Sequence, residues 1–372
     1  MTRQPSPPSV PVWPRLCIVG PLPPPSGGMA NQCEQLLRLL RADAASVELV
    51  CTNSPYRPAW LGRLPMVRAL ARLLPYLLAL WQAAGRAQVM HVLANSGWAW
   101  HLFAAPALWV ARLRGTPVIV NYRGGHAETF FAKAPGHVLR ALAGARLRVT
   151  PSRYLERVFA GHGLSAQVIP NIIDLSRFTR RAPRAFGDAP HLVVARNLEP
   201  IYDMPTALRA MVLVRRRYPQ ARMTMAGSGP ELSALQALSM SLGLATCVQF
   251  AGRIDNAQMP ALYASADLAL NPSTVDNMPN SLLEAFASGV PLVSTDAGGI
   301  PDIARHGVDA WLVPVGDAQA MADAACSLLG DSALAGHMTD AAHHAVQTYA
   351  WPAVKRQWLQ AYRLAAGLEA ST

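Results

Sequence analysis

Short apolar runs alternate with longer stretches of helical period along almost the whole chain. Arg15–Gly20 is the first such run. A Pro/Gly-rich loop and a helical pattern from about Met29 to Arg41 follow it. Further runs of strand length are Val47–Cys51, Gln88–Val92, Pro117–Tyr122, Arg146–Thr150 and Gln167–Ile169. The second half repeats the scheme with His191–Ala195, Arg222–Ala226, Val248–Ala251, Asp267–Leu270, Pro291–Ser294 and Ala310–Val313. Continuously apolar strands separated by helices predict parallel sheets covered on both faces. The fold class is therefore α/β, with two doubly wound, Rossmann-like domains facing each other across a cleft.

The segment 177–190, RFTRRAPRAFGDAP, is polar, contains Pro and lacks a hydrophobic period, so it is expected to link residues 15–176 to residues 191–348. Residues 1–14 are Pro/Ser-rich without an apolar core and are expected to form a disordered tail rather than a signal peptide. The longest apolar runs, Leu73–Gly85 and Trp98–Ala111, reach only 13 and 14 residues and each contains Pro. A membrane span needs about 20.

At 51% hydrophobic and 15% charged, the 372 residues exclude a disordered protein. Five cysteines without a C-x-x-C spacing read as reduced thiols of a cytoplasmic protein, with no metal site and no disulfide frame. The net charge of +11 is unevenly spread. Residues 1–186 hold 22 Lys+Arg against 6 Asp+Glu, a balance of +16, and residues 187–372 hold 11 against 16, a balance of −5. A basic half can attract nucleic acid, anionic lipid or a phosphorylated substrate. No nucleic-acid signature is present, so a nucleic-acid partner is not expected. The stretch 60–81 sets Arg63, Arg68 and Arg72 among Leu, Trp and Tyr, the composition of either an interfacial helix or a core helix with a solvated Arg face. Trp98, Trp100, Phe103 and Trp109 are expected to pack inside.

Ligands of doubly wound sheets sit at the carboxyl ends of strands, beside helix N-termini. After the first strand, Gly27 and Gly28 precede a helix, where backbone N–H groups can approach an anion. Arg196 falls at a strand end, where a guanidinium can clamp a diphosphate. Phe250–Ile254 is another strand end, with Gly252 where backbone could meet a flat base. The richest stretch is 271–301. A loop carries Asp276, a helix begins near Asn280 with Asn280 or Ser281 as its cap, and Glu284 lies one turn inside. Both carboxylates can face a ligand at that helix end, as acceptors for a ribose or sugar diol.

These residues resemble the retaining glycosyltransferases of family 4, which have the GT-B fold. The resemblance runs over nearly the whole chain. It is carried by Asp276-x7-Glu284 followed by A-F-A-S-G-V-P-L-V-S-T-D-A-G-G-I-P-D, by Val168–Asp174, by Gly27-Gly28, and by Tyr349-Ala-Trp-Pro with Trp358 and Tyr362. It implies that the N-terminal domain binds the acceptor and the C-terminal domain the nucleotide-sugar donor. It also implies that residues 349–372 form a helix crossing back onto the N-terminal domain. Glu284 matches the ribose-holding Glu, Asp276 the acid that contacts the transferred sugar, and Arg196 the diphosphate-binding Arg. Arg253 and Ile254 match the base-contacting turn, and Asn277 and Met278 fall in the donor loop.

Three positions depart from the family pattern. Tyr202 stands where a Lys is usual, and Arg123 stands where the cleft His is usual, with His126 three residues on. Asp276 is one methylene shorter than Glu and is followed by Asn277-Met-Pro-Asn280. Arg123, His126 and Asp276 are thus the candidate catalytic residues. Arg123 could supply the charge lost with the Lys, the alternative being an ion pair with Glu128.

The expected reaction is metal-independent, retaining transfer from a nucleotide sugar, with no bound cofactor. The expected acceptor is a saccharide or lipid-linked saccharide of cell-surface polysaccharide or lipopolysaccharide synthesis, met at the cytoplasmic face of the membrane. A catalytically impaired sugar-nucleotide-binding subunit and a nucleotide-sugar epimerase stay open as alternatives.

Overall fold

The computed structural model describes residues 13–25, 27–54, 67–182 and 185–368, with the backbone alone for residues 67–71. The tail 1–12, and the part of the 60–81 stretch before residue 67, lie outside the described residues.

The first sheet contains β1 (Leu16–Gly20), β2 (Val47–Cys51), β3 (Val89–Ala94), β4 (Val118–Tyr122), β5 (Leu147–Thr150) and β6 (Gln167–Val168) in the order β2-β1-β3-β4-β5-β6. Its helices are α1 (Gly28–Ala42), α2 (Val67–Arg86), α3 (Ala105–Arg114), α4 (Ala127–Ala132), α5 (Gly136–Ala143) and α6 (Arg153–Ala160). The second sheet contains β7 (His191–Ala195), β8 (Arg222–Ala226), β9 (Val248–Gly252), β10 (Leu268–Asn271), β11 (Leu292–Thr295) and β12 (Trp311–Val313) in the order β12-β11-β10-β7-β8-β9. It is covered by α7 (Met204–Arg217), α8 (Leu232–Ser241), α9 (Met259–Ser265), α10 (Asn280–Ser288), α11 (Ala318–Gly330) and α12 (Ser332–Val346). Every strand pair is parallel. β1, β3 and β4 are buried at every position, as strands covered on both faces must be.

A last helix, α13 (Trp351–Ala365), returns to the first sheet. It buries Val354, Trp358, Ala361, Tyr362 and Ala365, an i, i+4, i+7, i+8, i+11 stripe, in the same core as Leu16, Ile18, Ile119 and Val149. Full burial of each large side chain there contributes about 1.5–3 kcal/mol. Trp358 stacks on His91 with centroids 4.7 Å apart, and the Tyr362 hydroxyl lies 2.7 Å from His91 Nδ1. Asn121 Nδ2 donates to His91 Nε2 at 3.1 Å, which leaves the Nδ1 proton for Tyr362. Burial first, and the Arg123 charge second, pull the His91 pKa down to about 3, so the ring stays neutral. Asp43 fastens the start of α13 by accepting from Trp351 Nε1 at 2.8 Å and pairing with Lys355 Nζ at 2.8 Å. Trp13, counted above with the tail, is in fact ordered, stacked on Trp351 at 6.4 Å.

Two expectations about the aromatic residues need correcting. Trp100 is fully buried and Phe103 packs beside the core, but Trp98 is 79% and Trp109 61% exposed. The inner face of α3 is already filled by Ala107, Leu108, Val110 and Ala111, which leaves Trp109 on the outside. No helix among the described residues is long and apolar enough to cross a membrane.

Candidate functional site

In each sheet the strand order reverses at one place, between β1 and β3 in the first and between β7 and β10 in the second. A crevice opens at the carboxyl ends of strands at such a point. The loops there are those that carry Gly27–Gly28, Arg196 and Asp276.

Arg196 follows β7. The turn after β8 lies against its backbone so closely that a Cβ on Gly227 would sit 1.9 Å from the Arg196 carbonyl oxygen. Only glycine allows that approach, and it fixes where the guanidinium starts. The guanidinium stacks 4.0 Å from the centre of the Tyr202 ring and bonds to the Asp276 carboxylate. Both side chains of this ion pair are 11% exposed. Arg196 Nε has no partner among the described residues. The Asp276 pKa is raised because burial outweighs the Arg196 charge and the backbone N–H groups of Asn277 and Met278.

The Asp276 loop is held from below. Gly299 N–H donates to the Asp276 carbonyl at 2.7 Å, and a Cβ on Gly298, at φ +56°, would lie 2.3 Å from that same oxygen. The Ala-Gly-Gly turn after β11 is thus the seat of the loop. The helix α10 that follows begins at Asn280 with Pro279 before it and no side-chain cap. The expected cap by Asn280 or Ser281 does not form. The Asn280 side chain instead faces the other sheet, and its Oδ1 accepts from Gln32 Nε2 at 3.3 Å and Asn171 Nδ2 at 2.8 Å. The N–H groups of Asn280 and Ser281 at the start of α10 therefore stay open, with the positive end of the helix dipole behind them, while that of Leu282 donates to the Pro279 carbonyl.

The N-terminus of α1 meets α10 from across the cleft. Gly27 is its N-cap, also without a side-chain bond, and a Cβ on Gly28 would lie 3.9 Å from Asn280 Nδ2. Neither helix has an acid in its first turn. Two uncapped helix ends thus converge, an arrangement suited to a polyanion.

Glu284 sits one turn along α10 beside Tyr263, whose hydroxyl reaches both this carboxylate and the Ser281 carbonyl, the latter at 3.1 Å. Part of its surface is open to the pocket, yet the carboxylate is enclosed. Burial raises its pKa to about 7, against the lowering effect of Arg177, Tyr263 and Arg196. A pocket of about 310 Å³, partly open to solvent, lies here between Asn31 and Gln35 of α1, Arg177, Asn256, Leu283 and Glu284. Asn31 Oδ1 and Gln35 Nε2 are buried in it without a partner among the described residues. Arg196 and Asp276 do not line it.

The remaining predicted residues fall into two groups. Arg123, Asn277 and Met278 join the two halves. Asn277 Nδ2 donates to the carbonyls of Arg123 and Gly124 at 3.1 and 2.9 Å. Met278 accepts from Asn171, its carbonyl from Asn171 Nδ2 at 2.8 Å and its sulfur from Asn171 N–H at 3.1 Å. Arg123 donates to Asn171 Oδ1 at 2.6 Å and leaves Nε without a partner among the described residues, and burial brings its pKa down to about 10. Glu128, the alternative partner of Arg123, bonds Tyr154 instead. His126 is exposed at the start of α4 and caps nothing, and Arg253 is exposed beyond β9 while Ile254 is half-buried. Among the described residues, no group of three or more His, Cys, Asp or Glu could hold a metal ion. Sequence reasoning gave no role to Asn171, Arg177, Gln32 or Tyr263. Asn171 lies inside the recognised Val168–Asp174 turn, so its position carried a signal although its role did not.

Two family profiles match the chain. "Glycosyltransferase Family 4" covers residues 26–177 and "Glycosyl transferases group 1" covers residues 189–331. The chain belongs to glycosyltransferase family 4. Over 238 residues this family 4 chain is 31% identical to an exopolysaccharide phosphotransferase of Streptomyces coelicolor, covering 63% of this chain and 24% of that protein. Over 219 residues it is 31% identical to a GDP-mannose-dependent alpha-(1-6)-phosphatidylinositol monomannoside mannosyltransferase of Mycolicibacterium smegmatis, covering 54% of this chain and 57% of the relative. The chain thus spans from a quarter to little over half the length of these relatives. Its fold is similar to that of Anabaena HepE, solved with UDP and glucose, with a TM-score of 0.70 at 20% identity over 93% of this chain and 99% of the other. The fold is GT-B.

Proposed function

We propose that the protein transfers a sugar, with retention of anomeric configuration and without a metal ion, from a nucleotide-sugar donor to a saccharide or lipid-linked saccharide of a cell-surface polysaccharide or lipopolysaccharide. One observation carries this reading: the uncapped N-termini of α1 and α10 converge where Gly28 meets Asn280, one turn before Glu284. The name of the GDP-mannose-dependent relative and the UDP in HepE support a nucleotide-sugar donor. The relatives' association with lipid and polysaccharide supports the acceptor class and a site of action at the cytoplasmic face of the membrane.

In this reading the glycosidic bond to the diphosphate breaks while a bond forms from the acceptor hydroxyl to the same carbon, on the face being vacated. The acceptor proton passes to the departing diphosphate. The negative charge that grows on the leaving group meets the N–H groups behind Gly27–Gly28, those of α10, and the guanidinium of Arg196. One such positioned donor contributes about 2.7–4 kcal/mol. Arg196 exchanges its bond to Asp276 for the phosphates and slides on the face of Tyr202. Asp276, released, faces the transferred sugar. Glu284 accepts from the ribose hydroxyls, with Asn31 and Gln35 able to satisfy their unpaired groups on the nucleoside.

A second reading has one observation behind it. Tyr202 stands in the place of a cation and already stacks on Arg196, which suits a subunit that binds a sugar nucleotide without turning it over. One experiment tests both. Melting temperatures are measured with a panel of UDP- and GDP-sugars, and turnover of the best ligand is followed by release of its nucleoside diphosphate. A ligand at 100 times its Kd stabilises the native state by about 2.7 kcal/mol. A shift abolished in Arg196→Ala and in Glu284→Ala is expected. A shift without turnover, with any acceptor, selects the second reading. No shift with any nucleotide at millimolar concentration ends both.

A further inference from the structure

Eleven large apolar side chains are exposed among the described residues, and six of them lie between 74 and 113: Leu74, Leu78, Trp81, Trp98, Trp109 and Leu113. They are not scattered. Leu74, Leu78 and Trp81 follow one another by four and three residues, a single outward face of α2. Trp109 and Leu113 repeat the four-residue step on α3, which packs beside α2. The guanidinium of Arg114 lies 4.8 Å from the centre of the Trp81 ring and joins the two faces. Trp98, 79% exposed in the helical turn that begins four residues after β3, extends the same surface toward the carboxyl end of the first sheet, where the crevice opens.

The charge of this region is one-sided. Residues 49–127 contain eight Arg and no Asp, Glu or Lys. Arg112 and Arg114 are exposed on the apolar face itself, between and beside Trp109 and Leu113. Arg140 of the neighbouring α5 is exposed as well. A protein partner would have to match apolar rings and cations alternating within single turns. The headgroup layer of an anionic bilayer matches both at once, with acyl chains for Leu and Trp and phosphates for Arg.

We infer that the outward face of α2 and α3, with Trp98 at its leading edge, is a docking surface for an anionic phospholipid bilayer. Docked through this face, the chain turns Trp98 and the carboxyl end of the first sheet toward the lipid headgroups, where a lipid-linked sugar acceptor presents its saccharide. The inference deepens the acceptor reading above, but it stands on this surface and not on the donor site, so either can fail alone.

The test is co-sedimentation of the full chain with phosphatidylcholine vesicles, with and without phosphatidylglycerol, at low and high salt. Binding that requires phosphatidylglycerol and weakens with salt is expected. In the Leu78→Glu/Trp109→Glu variant, partitioning falls by about tenfold or more. The melting temperature and far-ultraviolet circular dichroism of the two proteins, read without any ligand, stay unchanged and show that the variant is folded. Wild-type protein that ignores phosphatidylglycerol overturns the inference. So does a variant that binds as wild type does. Concentration-dependent dimerisation of the wild type in ultracentrifugation, abolished in the variant and without vesicle binding, overturns it in favour of a second copy as the occupant.

Discussion

Replacing Arg196 by Met removes the only cation bonded to the Asp276 carboxylate among the described residues and keeps most of the volume over Tyr202. Asp276 is 11% exposed, so water cannot fully take the place of the guanidinium. Removing one partner of a buried pair costs about 3–5 kcal/mol, because the other charge stays buried. For a unit of the size of the second sheet and its helices, that is roughly 6–20 °C in melting temperature. The pH dependence has a definite sign. The Asp276 pKa is already raised in the folded protein, so its contribution to stability is present at low pH and lost as pH rises through the folded value. Without Arg196 the folded pKa moves higher still. The deficit of Arg196→Met is therefore largest at alkaline pH and shrinks on acidification. Arg196→Met/Asp276→Asn restores most of the lost stability, since no charge remains to be buried. Urea unfolding of the wild type, both single variants and the double variant, at several pH values, gives the coupling directly. Equal stability of Arg196→Met and the double variant at alkaline pH would refute the reasoning, since it would mean that Asp276 does not depend on Arg196.

Two further outcomes follow from the same loop. Burial raises the Glu284 pKa from 4.5 to about 7, so folded-state stability from this group is full below about 4.5 and is lost as pH rises through about 7. The loss is at most about 3 kcal/mol, less whatever pocket water restores. Glu284→Gln should therefore gain on the wild type between pH 5 and pH 8 in urea midpoint, and parallel pH profiles for the two proteins would contradict this. Gly298→Ala puts a Cβ 2.3 Å from the Asp276 carbonyl at φ +56° and should cost more than about 2 kcal/mol and weaken nucleotide binding. Gly307→Ala, at φ +71° but with nothing within 4 Å, should cost about 1 kcal/mol and leave binding intact; equal losses in the two variants would show that the close approach is not what matters.

The strand pattern was legible because a strand buried on both faces must be apolar throughout. Every run of that kind in the sequence appears as a strand with its ends within two residues, from Leu16–Gly20 to Trp311–Val313. The strand-end positions of Arg196 and Asp276 were legible too, after β7 and β10, but their ion pair was not, and neither lines the pocket beside Glu284. The bonds across the cleft were not legible either. Asn171 meets Met278 and Asn280 more than 100 residues away, and no local period reports an amide that far from its partner. The cap of α10 was misjudged for the same reason: Asn280 is a good capping residue by itself, but Gln32 and Asn171 take its side-chain oxygen. Trp98 and Trp109 failed differently. Ala-rich α3 fills its inner face with small side chains, so apolar content alone does not tell which face a Trp takes.

The substitution of Tyr202 for a cation redistributes the work of the proposed leaving-group site rather than abolishing it. Arg196 is balanced by Asp276, so on its own this pair offers a diphosphate little net charge. The surplus comes from Arg177 beside Glu284, from Arg123 with its unpaired Nε, and from two open helix ends that carry no first-turn acid. Arg123 is fastened to Asn171 and, through its carbonyl, to Asn277, the residue next to Asp276. Asp276 is thus one residue of backbone away from the contact that joins the two halves. Tyr202 contributes what a Lys would not. Its ring holds the guanidinium in one plane, so in the proposed reaction the exchange of carboxylate for phosphate would need little reorganisation.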